Sequence, residues 1–177
     1  MNYLNITISG KICTGKSTLR NLLIKKLKDG WSTFSTGELF RRYVKDHNLS
    51  LEQADEQNNK LSKEIDNQVR ELLKTKNKLI IDSWMAGITA RKIPKVLKIL
   101  LVCKDDIRYK RFAKREKLTY KESKQMVDDR LKNWAKKIKE IYYRDDFYDE
   151  KLFDLIIDTS YITPQAVLKQ VYLKLTR

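Results

Sequence analysis

The sequence predicts an α/β fold in which a five-stranded parallel sheet is flanked by helices. Short runs of apolar and β-branched residues recur along the 177-residue chain and have the length of buried strands. Segments with apolar residues at helical spacing separate these runs, and a glycine-rich loop joins the first strand to the first helix. Strands that alternate with helices are typical of a parallel sheet covered on both faces.

The first strand and helix enclose a phosphate-binding pattern. Tyr3 to Ile8 is short and β-branched, which indicates a strand, and the residues that follow fit G-x-x-x-x-G-K-[ST] at positions 10–17. Leucines from Leu19 to Leu27 recur at helical spacing, and Gly30 follows as a stop signal. Glycines allow a loop whose amides face one anion, and the next helix adds its dipole. This context predicts a nucleoside triphosphate site, whereas the alternative is a chance glycine turn.

The middle of the chain predicts one strand and three helical segments. Residues 31–35 resemble a short second strand, and the chain turns into a helix at Thr36. Ser50 to Gln53 has capping-box spacing and opens a polar helix. A further helix covers about Leu61 to Lys74, with its apolar residues on one face.

The second half supplies the remaining three strands and three helices. The strands are Leu79–Asp82, Val96–Val102 and Leu155–Asp158. The helices begin at Asp105, expected as a cap, at the capping-box pair Thr119 and Glu122, and at Pro164 after the cap residue Thr163. The second of these is long and basic and runs to about Tyr143. No linker or repeat is visible, so residues 1–177 are expected to form one domain.

Several candidate site residues fall at the carboxyl ends of predicted strands, where ligands bind in open parallel sheets. The phosphate loop, Ser35 to Gly37 and Asp82 all lie there. Asp82 is a candidate Mg²⁺ ligand, directly or through water, and the alternative is that it caps the next helix. Arg41 follows Gly37 by one helical turn and is placed to grip a phosphate.

Two basic helical faces are candidates for a lid that closes on the nucleotide. Arg108, Arg111 and Arg115 recur at spacings of three and four, and Arg130 and Lys137 share one face. Phosphoryl transfer needs cations around the migrating group, and a mobile helical pair could deliver them. The alternative is a solvated amphipathic pair without chemistry.

Composition limits the class of protein. A hydrophobic content of 41% with 34% charged residues is typical of a globular chain, and no apolar run is long enough to span a membrane. The early strand leaves no room for a signal peptide, and Cys13 and Cys103 suit a reduced protein, so a cytoplasmic location is expected. The net charge of +15 fits nucleic acid, an acidic surface or a site for several phosphates.

Motifs along nearly the whole chain resemble the nucleoside monophosphate kinases, and in particular cytidylate kinases of the compact archaeal type. The matching stretches are Ile8–Gly10, Gly15–Ser17, Ser35–Arg41, Glu64–Asp66, Ala113–Glu116, Arg130–Tyr142 and Ile157–Ser160. The loop alone is shared by many NTPases, but the Ser-Thr-Gly segment with its arginine and the tail are more particular. The resemblance implies a P-loop NTPase fold with acceptor-binding helices at about 37–75 and a lid at about 115–143.

The same resemblance implies transfer of the γ-phosphoryl group of ATP to CMP or dCMP, with Mg²⁺. The donor would lie on Gly10, Lys11, Ile12, Cys13, Thr14, Gly15, Lys16, Ser17 and Thr18, with Mg²⁺ on Ser17 and Asp82. Arg111 would stack on adenine, while Lys16, Arg115, Arg130 and Lys137 would be the catalytic cations, Lys137 standing where the family prefers arginine. The acceptor would meet Thr36, Gly37, Arg41, Asp66, Trp84 and Gly87, with Asp66 reading the base.

Trp84 departs from the family pattern, because these kinases place an acceptor-binding arginine there. Arg41, Arg91 or another basic residue would then compensate, or the acceptor differs. Three alternatives therefore remain beside a cytidylate-type kinase: a kinase for another small acceptor, a nucleotide-dependent nucleic-acid-binding protein, and a non-catalytic relative. The sequence lacks the aromatic and basic surface that single-stranded nucleic acid prefers, so small-molecule nucleotides are the expected partners and a monomer is favoured.

Overall fold

A computed structural model describes residues 2–27, 30–46, 48 and 59–176. The strands are β1 (Asn5–Ser9), β2 (Ser32–Ser35), β3 (Leu79–Asp82), β4 (Val96–Val102) and β5 (Leu155–Asp158). The helices are α1 (Lys16–Leu27), α2 (Thr36–Asp46), α3 (Asn59–Thr75), α4 (Ala86–Thr89), α5 (Asp105–Glu116), α6 (Tyr120–Tyr142) and α7 (Pro164–Thr176), with a 3₁₀ turn at Glu150–Leu152.

The five strands form one parallel sheet in the order β2-β3-β1-β4-β5. The chain leaves β1 at the centre and crosses first to one side and then to the other. Ile8 pairs in register with Asp82, so the loop after β1 begins beside the end of β3. This is the point where the strand order reverses and where such sheets bind ligands.

Helices cover both faces of the sheet, as the sequence predicted. On one face α1 and α7 pack on alternate strand residues such as Ile8, Ile80 and Leu97. On the other face α3 packs Val69 and Leu73 against the opposite side chains of β3. Each buried leucine or isoleucine contributes about 1.5–3 kcal/mol, so these two layers supply most of the stabilisation of the sheet.

Most predicted elements are confirmed by the structure. All five strands are present, and Thr119 with Glu122 makes a full capping box at the start of α6. The expected role of Asp105 as a cap is wrong: α5 begins at Asp105, and its carboxylate instead accepts from Arg108 at 2.6 Å. The short helix α4 was not predicted, and the capping box at Ser50 to Gln53 lies outside the described residues.

Among the residues that the structure describes, no helix combines the length and apolar character needed to cross a membrane.

Candidate active site

The loop after β1 turns through backbone conformations that only particular residues tolerate. Gly10, Cys13 and Gly15 have φ angles of 146°, 61° and 99°. A Cβ at Gly10 would lie 2.4 Å from the Leu101 carbonyl oxygen, so no side chain fits there. Turns of this kind aim successive amides at one anion, and the N-terminus of α1 follows directly.

Lys16, the first residue of α1, folds back over the loop. Its ammonium group donates to the Gly10 carbonyl at 2.7 Å and to the Lys11 carbonyl at 2.8 Å. Burial lowers the pKa of Lys16 to about 8, while the nearby Asp82 carboxylate opposes this shift. The side chain is thus a cation held at the rim of the anion-binding loop.

Ser17 and Asp82 meet beside this lysine, as the sequence predicted. The Ser17 hydroxyl donates to Asp82 Oδ2 at 3.3 Å. The other carboxylate oxygen, Oδ1, accepts from Arg20 Nη1 at 2.9 Å. Arg20 also forms an ion pair with Glu38 in the first turn of α2, so the carboxylate of β3 is tied to two helices.

Two arginines of α5 donate hydrogen bonds to carbonyl groups of the loop. Arg108 is fully buried and donates to the Ile12 carbonyl at 3.3 Å. Arg111 donates to the Cys13 carbonyl at 3.3 Å and to the Thr159 carbonyl at 2.6 Å. The Thr159 hydroxyl donates in turn to the Thr14 carbonyl at 2.9 Å. Two of the three arginines on the predicted basic face of α5 therefore bind the loop through its carbonyl groups.

A cavity of about 760 Å³ opens in front of the loop. Its wall includes most of the predicted site: Ile12, Cys13, Thr14, Gly15, Lys16, Ser17, Thr18, Thr36, Gly37, Arg41, Asp66, Asp82, Trp84, Arg111, Arg115, Arg130 and Lys137. In the whole described wall of this cavity, six residues are cations and three, Asp66, Asp82 and Glu116, are acidic. Such an excess of positive charge suits a ligand that carries several phosphates.

Gly10, Lys11 and Gly87 are predicted site residues that do not line this cavity. Gly10 and Lys11 begin the loop and supply the carbonyl groups that accept from Lys16. Gly87 lies in α4, where its amide donates to the Ser9 hydroxyl at 2.8 Å. A Cβ at Gly87 would lie 2.2 Å from the ring of Phe153, so this glycine is needed for packing.

Arg41 and Asp66 face the cavity from the side of α2 and α3. The guanidinium of Arg41 folds back toward Gly37, where a Cβ would lie 3.4 Å from Arg41 Nη1. The Asp66 carboxylate accepts from the Tyr142 hydroxyl at the end of α6. Burial raises the pKa of Asp66, although this hydrogen bond and the nearby cations Arg70 and Lys137 act in the opposite direction.

Trp84 packs against helix α6. Its ring meets that of Trp134 edge-on with centroids 4.6 Å apart, and Phe147 also contacts the ring of Trp134. Arg91, which the sequence offered as one compensating cation for Trp84, is exposed and lines a separate depression with Asp146. Arg41 is the described cation that faces the cavity from α2 and α3.

Three further cations that the sequence assigned to a lid face the cavity from α5 and α6. Arg115 is exposed, pairs with Glu116 at 2.7 Å and lies over the ring of Phe112. Arg130 and Lys137 line the cavity from α6. The three cations therefore line the same cavity, as their spacing in the sequence suggested.

The sequence did not indicate the roles of three side chains that organise the site, Arg20, Tyr142 and Thr159. It also did not indicate that Arg108 is buried against the loop. A weak signal existed for Arg20, because it lies three residues after Ser17 and so shares its helical face. For the others, nothing in the local pattern indicates the partner.

Comparison with known proteins identifies relatives of this architecture. Residues 6–131 match the family described as AAA domain. A cytidylate kinase of Methanosarcina barkeri is 31% identical over 89% of this chain and 88% of its own. A cytidylate kinase of Haloarcula marismortui is 30% identical over 92% of this chain and 84% of its own.

Solved structures share the fold at low sequence identity. A gluconokinase of Sinorhizobium meliloti superposes with a TM-score of 0.64 at 11% identity, covering 98% of this chain and 91% of its own. A shikimate kinase of Acinetobacter baumannii, in complex with shikimate, gives a TM-score of 0.61 at 14% identity, covering 98% and 93%. These similarities concern the fold alone.

Proposed function

Because the chain belongs to the P-loop kinase family that includes the archaeal cytidylate kinases, and is thus a nucleoside monophosphate kinase, we propose that it phosphorylates CMP or dCMP with ATP. One observation carries the proposal: the phosphate loop, the first turn of α2 and Asp66 open onto the same cavity. Two nucleotides bound there would meet with their phosphates adjacent, which direct transfer requires.

The donor nucleotide would bind along the loop from Gly10 to Thr18. The positive-φ turns and the start of α1 suit its phosphates, and Lys16 would exchange its two carbonyl partners for phosphate oxygens. Arg111 lines the cavity beside Thr159, and its planar guanidinium would stack on the adenine.

Ser17 and Asp82 fit the requirements of a Mg²⁺ site. They present a hydroxyl and a carboxylate oxygen 3.3 Å apart, and Mg²⁺ prefers oxygen ligands with several waters retained. Since Arg20 already binds Asp82 Oδ1, the oxygen on the Ser17 side remains for the metal or its water. Bound there, Mg²⁺ would neutralise charge on the β- and γ-phosphates.

The acceptor would bind on the opposite wall. Thr36, Gly37 and Arg41 would hold its phosphate, with Arg41 supplying the bidentate grip that Trp84 cannot. An ionised Asp66 accepts a hydrogen bond from the exocyclic amine of cytosine and repels the carbonyl that uracil presents there. That difference would favour CMP over UMP.

Arg115, Arg130 and Lys137 would surround the migrating phosphoryl group from the lid. Charge spreads over its equatorial oxygens in the transition state, so preorganised cations there lower the barrier. Lys137 would act as a point charge, without the fork of an arginine.

An ADP-release assay with CMP, dCMP, UMP, AMP, GMP and no acceptor tests the proposal. We expect kcat/KM for CMP or dCMP to exceed that for UMP by about 100-fold or more, since the uracil carbonyl cannot donate a hydrogen bond to the Asp66 carboxylate and is repelled by it. The Lys16→Ala protein should retain the fold and lose transfer. Preferred turnover of another monophosphate would contradict the acceptor assignment.

Trp84 favours one second candidate, a kinase for a different acceptor, because an aromatic ring stands where the resemblance places a phosphate-binding cation. The same assay separates this candidate by its acceptor profile. Nucleotide binding without any turnover would instead indicate a non-catalytic relative, and hydrolysis stimulated only by RNA would indicate a nucleic-acid-dependent protein.

A further inference from the structure

Arg20 is a buried cation that joins three elements of the site. Its side chain is 6% exposed and lies on α1, one turn after Ser17. Nη1 donates to Asp82 at the end of β3, and Nη2 pairs with Glu38 in the first turn of α2. Nε and the second N–H of Nη2 donate to Asn21 Oδ1 at 3.3 and 3.1 Å, so each of the three guanidinium nitrogens makes at least one hydrogen bond.

The two carboxylates belong to opposite substrates in the proposed function. Asp82 stands beside Ser17 on the donor side, and its orientation is fixed because Arg20 occupies Oδ1. Glu38 directly follows Gly37 on the acceptor side and precedes Arg41 by one turn of α2. A shift of α2 on acceptor binding would therefore reach the Asp82 carboxylate through one rigid planar group.

We propose that Arg20 is a positioning residue that couples the acceptor site to the nucleotide and metal site. The inference rests on the proposed function and deepens it. Arg20 does not line the cavity, so it acts through Asp82 and Glu38 and not by touching either substrate. A guanidinium is required because its fork spans two carboxylates, whereas an ammonium is a single point charge.

Binding measurements without turnover test the coupling. Calorimetry would give the affinity of a non-hydrolysable ATP analogue with Mg²⁺, in the absence and presence of saturating CMP. In the wild-type protein we expect CMP to raise that affinity by roughly 5–150-fold, with the same factor found for CMP when the analogue is bound first.

Two variants keep a cation beside Asp82 and so preserve the buried pair. Glu38→Gln removes the acceptor-side charge alone, and Arg20→Lys retains charge but cannot span both carboxylates. Both should bring the coupling factor to about one to two while leaving the fold intact by circular dichroism. Lys25→Met, which removes an exposed cation from the same helix, should retain the wild-type factor.

Wild-type coupling that persists within twofold in both variants would overturn the inference, and so would independent binding of the two ligands to the wild-type protein. A purely structural role predicts lower urea midpoints with the coupling factor unchanged, which also contradicts it. If the assay panel identifies another monophosphate as acceptor, the CMP assignment fails, and the coupling is measured with that substrate instead. The two failures are thus distinguishable.

Discussion

Lys16 is a cation that the fold partly removes from water, and its ammonium donates to two neutral carbonyl groups, those of Gly10 and Lys11. Burial lowers its pKa to about 8, close to the pH of ordinary assays. In the proposed role the group must be protonated when it meets phosphate, because only the ammonium attracts an anion. Nucleotide binding by the free protein should therefore depend on pH in the range where this lysine titrates.

We predict that the Kd for an ATP analogue with Mg²⁺ rises about tenfold per pH unit above pH 8 in the wild-type protein. The sign follows because raising the pH deprotonates the free lysine, and binding must then recover the proton. A Lys16→Arg variant keeps its charge throughout this range and should bind more weakly with a flat profile. A sloping profile in that variant would assign the titration to another group.

Asp66 faces the cavity from α3 and is the proposed partner of the acceptor base. We expect Asp66→Asn to raise KM for CMP about tenfold or more with little change in kcat, because a hydrogen bond to a charged acceptor is lost. The amide can donate to the uracil carbonyl, so kcat/KM for UMP should rise. Glu71→Gln, at an exposed ion pair on the same helix, is the control. An unchanged preference between CMP and UMP would place base recognition elsewhere.

The residues that the sequence could indicate are those whose roles are local. Gly10, Gly15, Lys16 and Ser17 form one short pattern whose spacing already implies the loop. The missed partners are distant in the chain: Arg20 lies 62 residues from Asp82. Only the fold brings such pairs together, because neither hydrophobic periodicity nor a capping pattern in the sequence indicates which distant residues will meet.

Among the secondary-structure elements, helix α6 is attached to the sheet by aromatic contacts. Trp134 in the middle of α6 meets Trp84, which follows β3, and also contacts Phe147. At its end, Tyr142 donates to Asp66 of α3. Trp84, the residue that departs from the pattern of the resemblance, thus joins α6 to the core of the protein.

A double-mutant cycle with Trp84→Leu and Trp134→Leu measures this attachment. We expect a coupling free energy of about 1 kcal/mol in urea unfolding, the size of an edge-to-face aromatic pair. Trp134→Leu combined with Tyr172→Leu, on α7, should be additive. Additivity of the two tryptophan changes would show that the rings pack without a specific interaction.

The elements themselves were predictable where their signals are short-range. Strands β3, β4 and β5 were predicted with their observed bounds because each is an apolar run ended by polar residues, and the capping box at Thr119 begins α6 as expected. Helix α4 is four residues long and carries no periodic pattern. Gly87 within it is required by the distant ring of Phe153, which explains why its role could not be predicted locally.

For the whole molecule, the topology and the net charge act together. The sheet order places the loop after β1 beside the end of β3, at the reversal of strand order. Around that point the charged residues of the cavity wall are mostly cations, and the chain as a whole carries a formal net charge of +15. Both nucleotides of the proposed reaction are anions, so the field of the protein should attract them from a distance and should also destabilise the folded chain by self-repulsion.

Attraction of the substrates and self-repulsion of the folded chain can be separated by their response to salt. Raising NaCl from about 50 to about 500 mM should lower kcat/KM for CMP about tenfold, because screening weakens attraction, while kcat changes less than about twofold. The same salt should raise the unfolding midpoint by relieving self-repulsion, so the loss in kcat/KM is not loss of fold.

The exposed lysines Lys25, Lys132 and Lys136, which lie outside the cavity wall, provide a matched test of this long-range effect. Their combined replacement by glutamine should reduce the salt dependence of kcat/KM and leave kcat unchanged, because only the distant field is altered. If the triple variant keeps the full salt dependence, the attraction arises from the cations of the cavity and not from the overall charge. If kcat/KM does not respond to salt, long-range attraction does not contribute to substrate binding and the prediction is wrong.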